Sequence, residues 1–127
     1  MRIVAALFIE GIDVREAPGP STRLDLTGVH FSAAAPEEVP LVWAPHLAVI
    51  VHCPHDESGT GVLEVTYHRN GEQVARNVQP LQVDPGKFNY RLVRAELEFD
   101  EYGPVEAHCR MDQGPTHVIP YTLLPPA

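Results

Sequence analysis

Basic charge is what the chain has least of. Only 9 of its 127 residues are Lys or Arg, and Lys87 is the single lysine, against 17 Asp and Glu, for a formal net charge of −8. The arginines are scattered, so there is no basic stripe of the kind that phosphate recognition requires, and nucleic acid is not an expected partner. Long hydrophobic runs are missing as well. The run Ile3 to Ile9 falls far short of the roughly 20 residues that cross a bilayer, so no membrane partner is expected. That run follows Arg2 and has the outline of a secretory leader, yet it ends in Glu10-Gly11-Ile12-Asp13 with no small-residue cleavage site. A first β-strand explains it better, and the expected compartment is the cytoplasm.

Cysteine is scarce too. Cys53 and Cys109 are too few to staple a small secreted scaffold. Catalytic signatures are also lacking: there is no Gly-x-Ser-x-Gly elbow, no phosphate-cradling glycine loop and no dinucleotide fingerprint. The serines, Ser21, Ser32 and Ser58, lie in or beside turn-like segments. The carboxylate pairs Glu37-Glu38, Asp56-Glu57 and Asp100-Glu101 read as solvated turns rather than as acid–base pairs. The chain is therefore expected not to be an enzyme, and no cofactor is expected.

What is abundant is proline. Thirteen prolines leave few windows of helical length, while 44 % hydrophobic residues suffice for one packed core. A single domain over residues 1–127 follows from the length. Alternation is clear in His46 to Cys53, with Leu47, Val49, Val51 and Cys53 on one parity. It is equally clear over Val105, Ala107, Cys109 and Met111. Asn70-Gly71 marks a hairpin, because both residues tolerate positive φ. Phe88 to Phe99 reads as one long strand that switches parity midway, and so bends or changes sheets. Arg23 to Phe31 switches parity at Gly28, a position for a bulge or a close backbone approach. Ser32 to Pro45 is a crossing loop with a short helical turn at Pro36-Glu37-Glu38. The expected architecture is all-β: an antiparallel, immunoglobulin-like β-sandwich of about seven to nine strands.

Leu7-Phe8-Ile9-Glu10, Asp13-Val14-Arg15-Glu16 and Leu26-Thr27-Gly28-Val29-His30-Phe31 resemble the opening of a family of small uncharacterised bacterial proteins. The Asn70-Gly71 hairpin and the Gly103-Pro104-Val105 entry into a penultimate strand are similar to it as well. The resemblance implies one immunoglobulin-like sandwich over essentially the whole chain, and it carries no activity and no catalytic residue. The proline-rich stretch Ala33 to Pro45 and the seven histidines depart from that pattern.

Two features invite a functional reading. The first is the histidines. His52-Cys53-Pro54-His55 and His108-Cys109 gather candidate metal ligands, and His52, His55 and His108 are the candidate set. Both cysteines fall on apolar parities; buried thiols, an inter-sheet disulfide and metal ligation are the three readings open to them. The second feature is Trp43 in the proline-rich stretch, either a plug at one end of the sandwich or an exposed anchor for a partner. The leading expectation is a protein–protein interaction module. Its partner is another protein or a second copy, the latter pairing through the doubly apolar N-terminal strand. The alternative is a metal- or small-ligand-binding domain.

Overall fold

The structure is a computed structural model that describes residues 1–19 and 21–127. Pro20, in the turn expected over Ala17 to Ser21, lies outside the described residues. Among those residues the chain is all-β: β1 (Arg2–Ile9), β2 (Gly11–Ala17), β3 (Ser21–Thr27), β4 (Ser32–Ala34), β5 (Leu41–Trp43) and β6 (His46–His52), then β7 (Thr60–Arg69), β8 (Glu72–Gln82), β9 (Phe88–Arg94), β10 (Leu97–Phe99), β11 (Gly103–Met111) and β12 (His117–Leu124). Two sheets carry the core, one of three strands ordered β1-β6-β9 and one of five ordered β4-β12-β11-β7-β8. Pairing is antiparallel except between β12 and β4. The Asn70-Gly71 turn joins β7 to β8 with φ values of 52° and 78°, the double positive φ that matches strand twist in a tight hairpin.

Alternation decides which side chains meet. Phe8 of β1, Leu47, Val49 and Val51 of β6 and Val93 of β9 share a core with Leu63, Val65 and Tyr67 of β7, Val105, Ala107 and Cys109 of β11, and Tyr121 and Leu123 of β12. The arrangement is sandwich-like, and each fully buried Val, Leu or Phe contributes about 1.5–3 kcal/mol against leaving it in water. One core atom works against this. Among the described residues the Tyr67 hydroxyl is buried with no hydrogen-bond partner, and burial also pushes its pKa up. Tyr67→Phe should therefore be neutral or stabilising by about 1 kcal/mol, because it deletes an unpaired polar group and little volume. Urea unfolding of the two proteins measures the difference; a loss above that size would show the hydroxyl to be bonded.

The first strand is apolar on both parities for a reason visible in the fold. Its inward side joins the core, and on the outward side Ile9 is buried, as is Ala48 of β6, which pairs with Leu7. The β2–β3 hairpin follows β1 directly, and its register places Ile12 opposite Leu26 and Val14 opposite Leu24 on one face. Asp13, Asp25, Arg15 and Arg23 fall on the other. Val14, Thr22 and Leu24 form a cleft with Phe88, Asn89 and Tyr90, so the apolar face of the hairpin is turned toward the outward face of the sheet.

The terminal strand β9 is blunted by its own side chains. The Tyr90 amide donates to Asn89 Oδ1 at 2.8 Å and the Tyr90 carbonyl accepts from Arg91 Nη1 at 3.4 Å. Arg91 would meet its own copy in an antiparallel self-pairing centred on it, a like-charge contact that disfavours that register.

Two details depart from the sequence expectation and a third bears it out. Strands number twelve rather than seven to nine, because the stretch taken as a crossing loop holds β4 and β5 and no helical turn at Pro36 to Glu38. Arg23 to Phe31 is not one strand: β3 stops at Thr27, where Gly28 takes φ +64°. Phe88 to Phe99 divides into β9 and β10, which belong to different sheets, so the parity switch is a change of sheet. Tyr102, just beyond β10, packs against the core and its hydroxyl accepts from the Val39 amide at 3.2 Å.

Candidate functional site

The histidine set expected from the sequence is not assembled. His52 lies on the outward face of the three-stranded sheet, its ring 4.6 Å from that of Phe88. His108 lies on the outward face of the five-stranded sheet, stacked on His68 at 4.0 Å and 3.2 Å from Glu106 Oε1. The core separates the two. His55 sits in the loop after β6, close against Gly86. Among the described residues, no three His, Cys, Asp or Glu side chains gather so as to hold a metal ion.

Both cysteines are free and buried. Burial pushes the Cys109 thiol from 9.0 up to about 12. A folded-state pKa above the unfolded one stabilises the fold while the thiol is protonated. That contribution is complete below 9.0 and is lost as pH rises toward about 12. The buried Tyr67 and Tyr121 hydroxyls, also raised, act with the same sign. The native protein is therefore expected to be inert to a disulfide reagent at about pH 8, to expose both thiols in denaturant, and to lose stability in the alkaline range. A thiol titration with and without urea checks the first two, and reaction of a native thiol at the rate of free cysteine would contradict the burial.

Trp43 is where the sequence reading and the structure meet. It ends β5, half-buried, and packs against the edge of the core. Its indole Nε1 donates to the Tyr121 hydroxyl at 3.3 Å, and the Tyr121 ring lies 4.8 Å from Phe8 and 5.4 Å from His30. One side of Trp43 borders a cleft of about 480 Å³ lined by Ile9, Glu10, His30, Ser32, Ala33, Ala44, Pro45 and His46. It is thus neither a sealed plug nor a free-standing anchor.

Local backbone geometry brings these residues together. β1 ends beside the start of β6, where Ile9 pairs with His46. The Glu10 amide donates to the Thr27 and Gly28 carbonyls at 3.0 and 3.2 Å, and the His30 amide to the Phe8 carbonyl at 3.0 Å. His30 Nδ1 lies 2.8 Å from the Gly28 carbonyl, so Nδ1 carries the hydrogen and a neutral ring keeps Nε2 as an acceptor. Gly28 is required twice here. Its φ of +64° suits glycine, and a Cβ there would sit 2.6 Å from Glu10 Cδ. Gly28→Ala is expected to cost about 1–2 kcal/mol and to push the Glu10 side chain off its seat. Chemical denaturation reads the first effect and amide shifts around Glu10 the second; an unshifted Glu10 would contradict the close approach.

Electrostatically the cleft is simple. Glu10 is its one carboxylate and no Lys or Arg lines it. Among the described residues Glu10 forms no ion pair. Burial raises the Tyr121 hydroxyl from its ordinary pKa; the hydrogen bond from Trp43 offsets part of that, and the nearby Glu10 charge adds to it. Glu10, His30 and Ser32 are not singled out by the sequence as site residues, and His46 only as a candidate neighbour of the outer-face histidines. They carry no motif, and only the meeting of β1, β4 and β6 joins them.

The chain matches no protein-family model, no curated protein and no solved structure.

Proposed function

We propose that this protein is an immunoglobulin-like β-sandwich that works as a cytoplasmic, non-enzymatic protein-binding module, docking its partner at the Trp43 end. The observation that carries this reading is the half-buried Trp43 beside an open cleft of about 480 Å³. Tryptophan anchored on one side and accessible on the other is the residue type that most often dominates binding energy at interfaces. The Tyr121 bond holds the indole, so little side-chain entropy is lost on docking.

The test is capture of the partner by wild type, Trp43→Ala and Val78→Ser. Val78 is exposed on the outward face of β8, away from the cleft, and serves as the control. Capture should fall with Trp43→Ala and persist with Val78→Ser. Equal capture by all three would overturn the docking site.

A second copy is the partner the terminal position of β1 favours. Light scattering at high concentration decides that case: twice the 14.0 kDa chain mass supports pairing through β1, and one chain mass removes it.

A further inference from the structure

The chemistry of the cleft points to what enters it. Its one carboxylate is that of Glu10, which forms no ion pair among the described residues. Around it stand acceptors: His30 Nε2, freed because Nδ1 serves the Gly28 carbonyl, and the Ser32 hydroxyl. The remaining wall is Trp43 and His46 with Ile9, Ala33, Ala44 and Pro45. An acceptor-rich pocket with a flat aromatic wall and an unpaired carboxylate suits a planar cation with several donors and no acceptor. A guanidinium meets that description: it bridges a carboxylate with two parallel N–H bonds, stacks on indole and leaves water at lower cost than an ammonium.

From the unpaired Glu10 carboxylate beside the Trp43 indole, we infer that the cleft is a receptor for an arginine side chain presented by the partner. The inference rests on the docking site proposed above and adds its chemistry. Gly28 belongs to the device, because only a missing Cβ lets the Glu10 side chain lie where it does. Tyr121 belongs to it as a positioning residue, holding the indole through its hydroxyl. The chain-wide charge of −8 draws a basic partner toward the molecule from a distance.

The experiment titrates the full chain with three short peptides, Gly-Arg-Gly, Gly-Lys-Gly and Gly-Glu-Gly, each capped at both ends. The reporter is the indole N–H resonance, a single signal because Trp43 is the one tryptophan. A lone side chain binds weakly, in the millimolar range. The arginine peptide should shift the indole signal together with the Glu10 and His30 amides. The lysine peptide should bind more weakly and the glutamate peptide not at all. Glu10→Gln, an exposed and nearly isosteric change, should weaken arginine binding about ten-fold or more, the loss of one charge-assisted contact. Glu106→Gln, on the opposite outward face, should leave it unchanged. Equal binding of all three peptides, or arginine binding indifferent to Glu10→Gln, overturns the inference. If no arginine peptide binds while partner capture still depends on Trp43, the arginine claim fails alone; if neither depends on the cleft, both readings fail.

Discussion

Phe8→Ala is expected to destabilise the protein by about 3–5 kcal/mol, the range for truncating a buried phenylalanine. Phe8 is 1 % exposed and its ring meets Tyr121 at 4.8 Å. Truncation removes the buried ring and leaves a cavity between β1 and β12 that flanking strands cannot close. Against a total stability of about 5–15 kcal/mol, this is a large share. The effect also reaches the cleft. Tyr121 loses its neighbour on the core side, and the hydroxyl that fixes Trp43 is then free to move. Urea unfolding should show the lower midpoint, and the emission of Trp43 in the folded state should change with it. A loss below about 1 kcal/mol would mean that the Phe8–Tyr121 contact does not organise this end of the core.

The second large effect concerns the β2–β3 hairpin, where neighbouring positions should respond in opposite ways. Ile12 and Leu26 lie directly opposite each other on the face turned toward the three-stranded sheet. The double change Ile12→Asp with Leu26→Asp sets two like charges together against apolar surface. It is expected to cost about 2–4 kcal/mol through desolvation and repulsion. Asp13 and Asp25, one residue along each strand, also face each other, but on the exposed side. Asp13→Ser should change stability by no more than about 0.5 kcal/mol. The same hairpin thus supplies its own control. Equal effects at both pairs, read from thermal unfolding, would show that the hairpin is not seated on the sheet.

The hairpin also shows how far the sequence could be read. The doubly apolar β1 was legible as a strand buried on two sides, but composition cannot say what covers it. A second copy and an internal hairpin leave the same apolar pattern. Local signals with a mechanical cause were readable: the Asn70-Gly71 turn, the inward parity of β6 and β11, and the change of sheet within Phe88 to Phe99. Short strands in proline-rich sequence were not. β4 and β5 span three residues each, too few for a period to show, and exist because β12 and β10 offer them edges. The site divides along the same line. Trp43 was visible as a lone aromatic, whereas Glu10, His30, Ser32 and His46 become neighbours only through tertiary pairing. The reverse error arose at His52, His55 and His108. His52 and His55 were grouped by closeness in sequence and His108 as a neighbour on an outer face, but parity and layer put His52 and His108 on opposite outward faces.

The docking site proposed at the Trp43 end is open to a direct test. A photo-crosslinking residue at His46, on the cleft rim, tests it in intact cells against the same residue placed at Val78. A discrete adduct of defined mass is expected from position 46, reduced by Trp43→Ala elsewhere in the same chain, and none of that mass from position 78. An adduct from position 78 alone, or none from position 46, would contradict it.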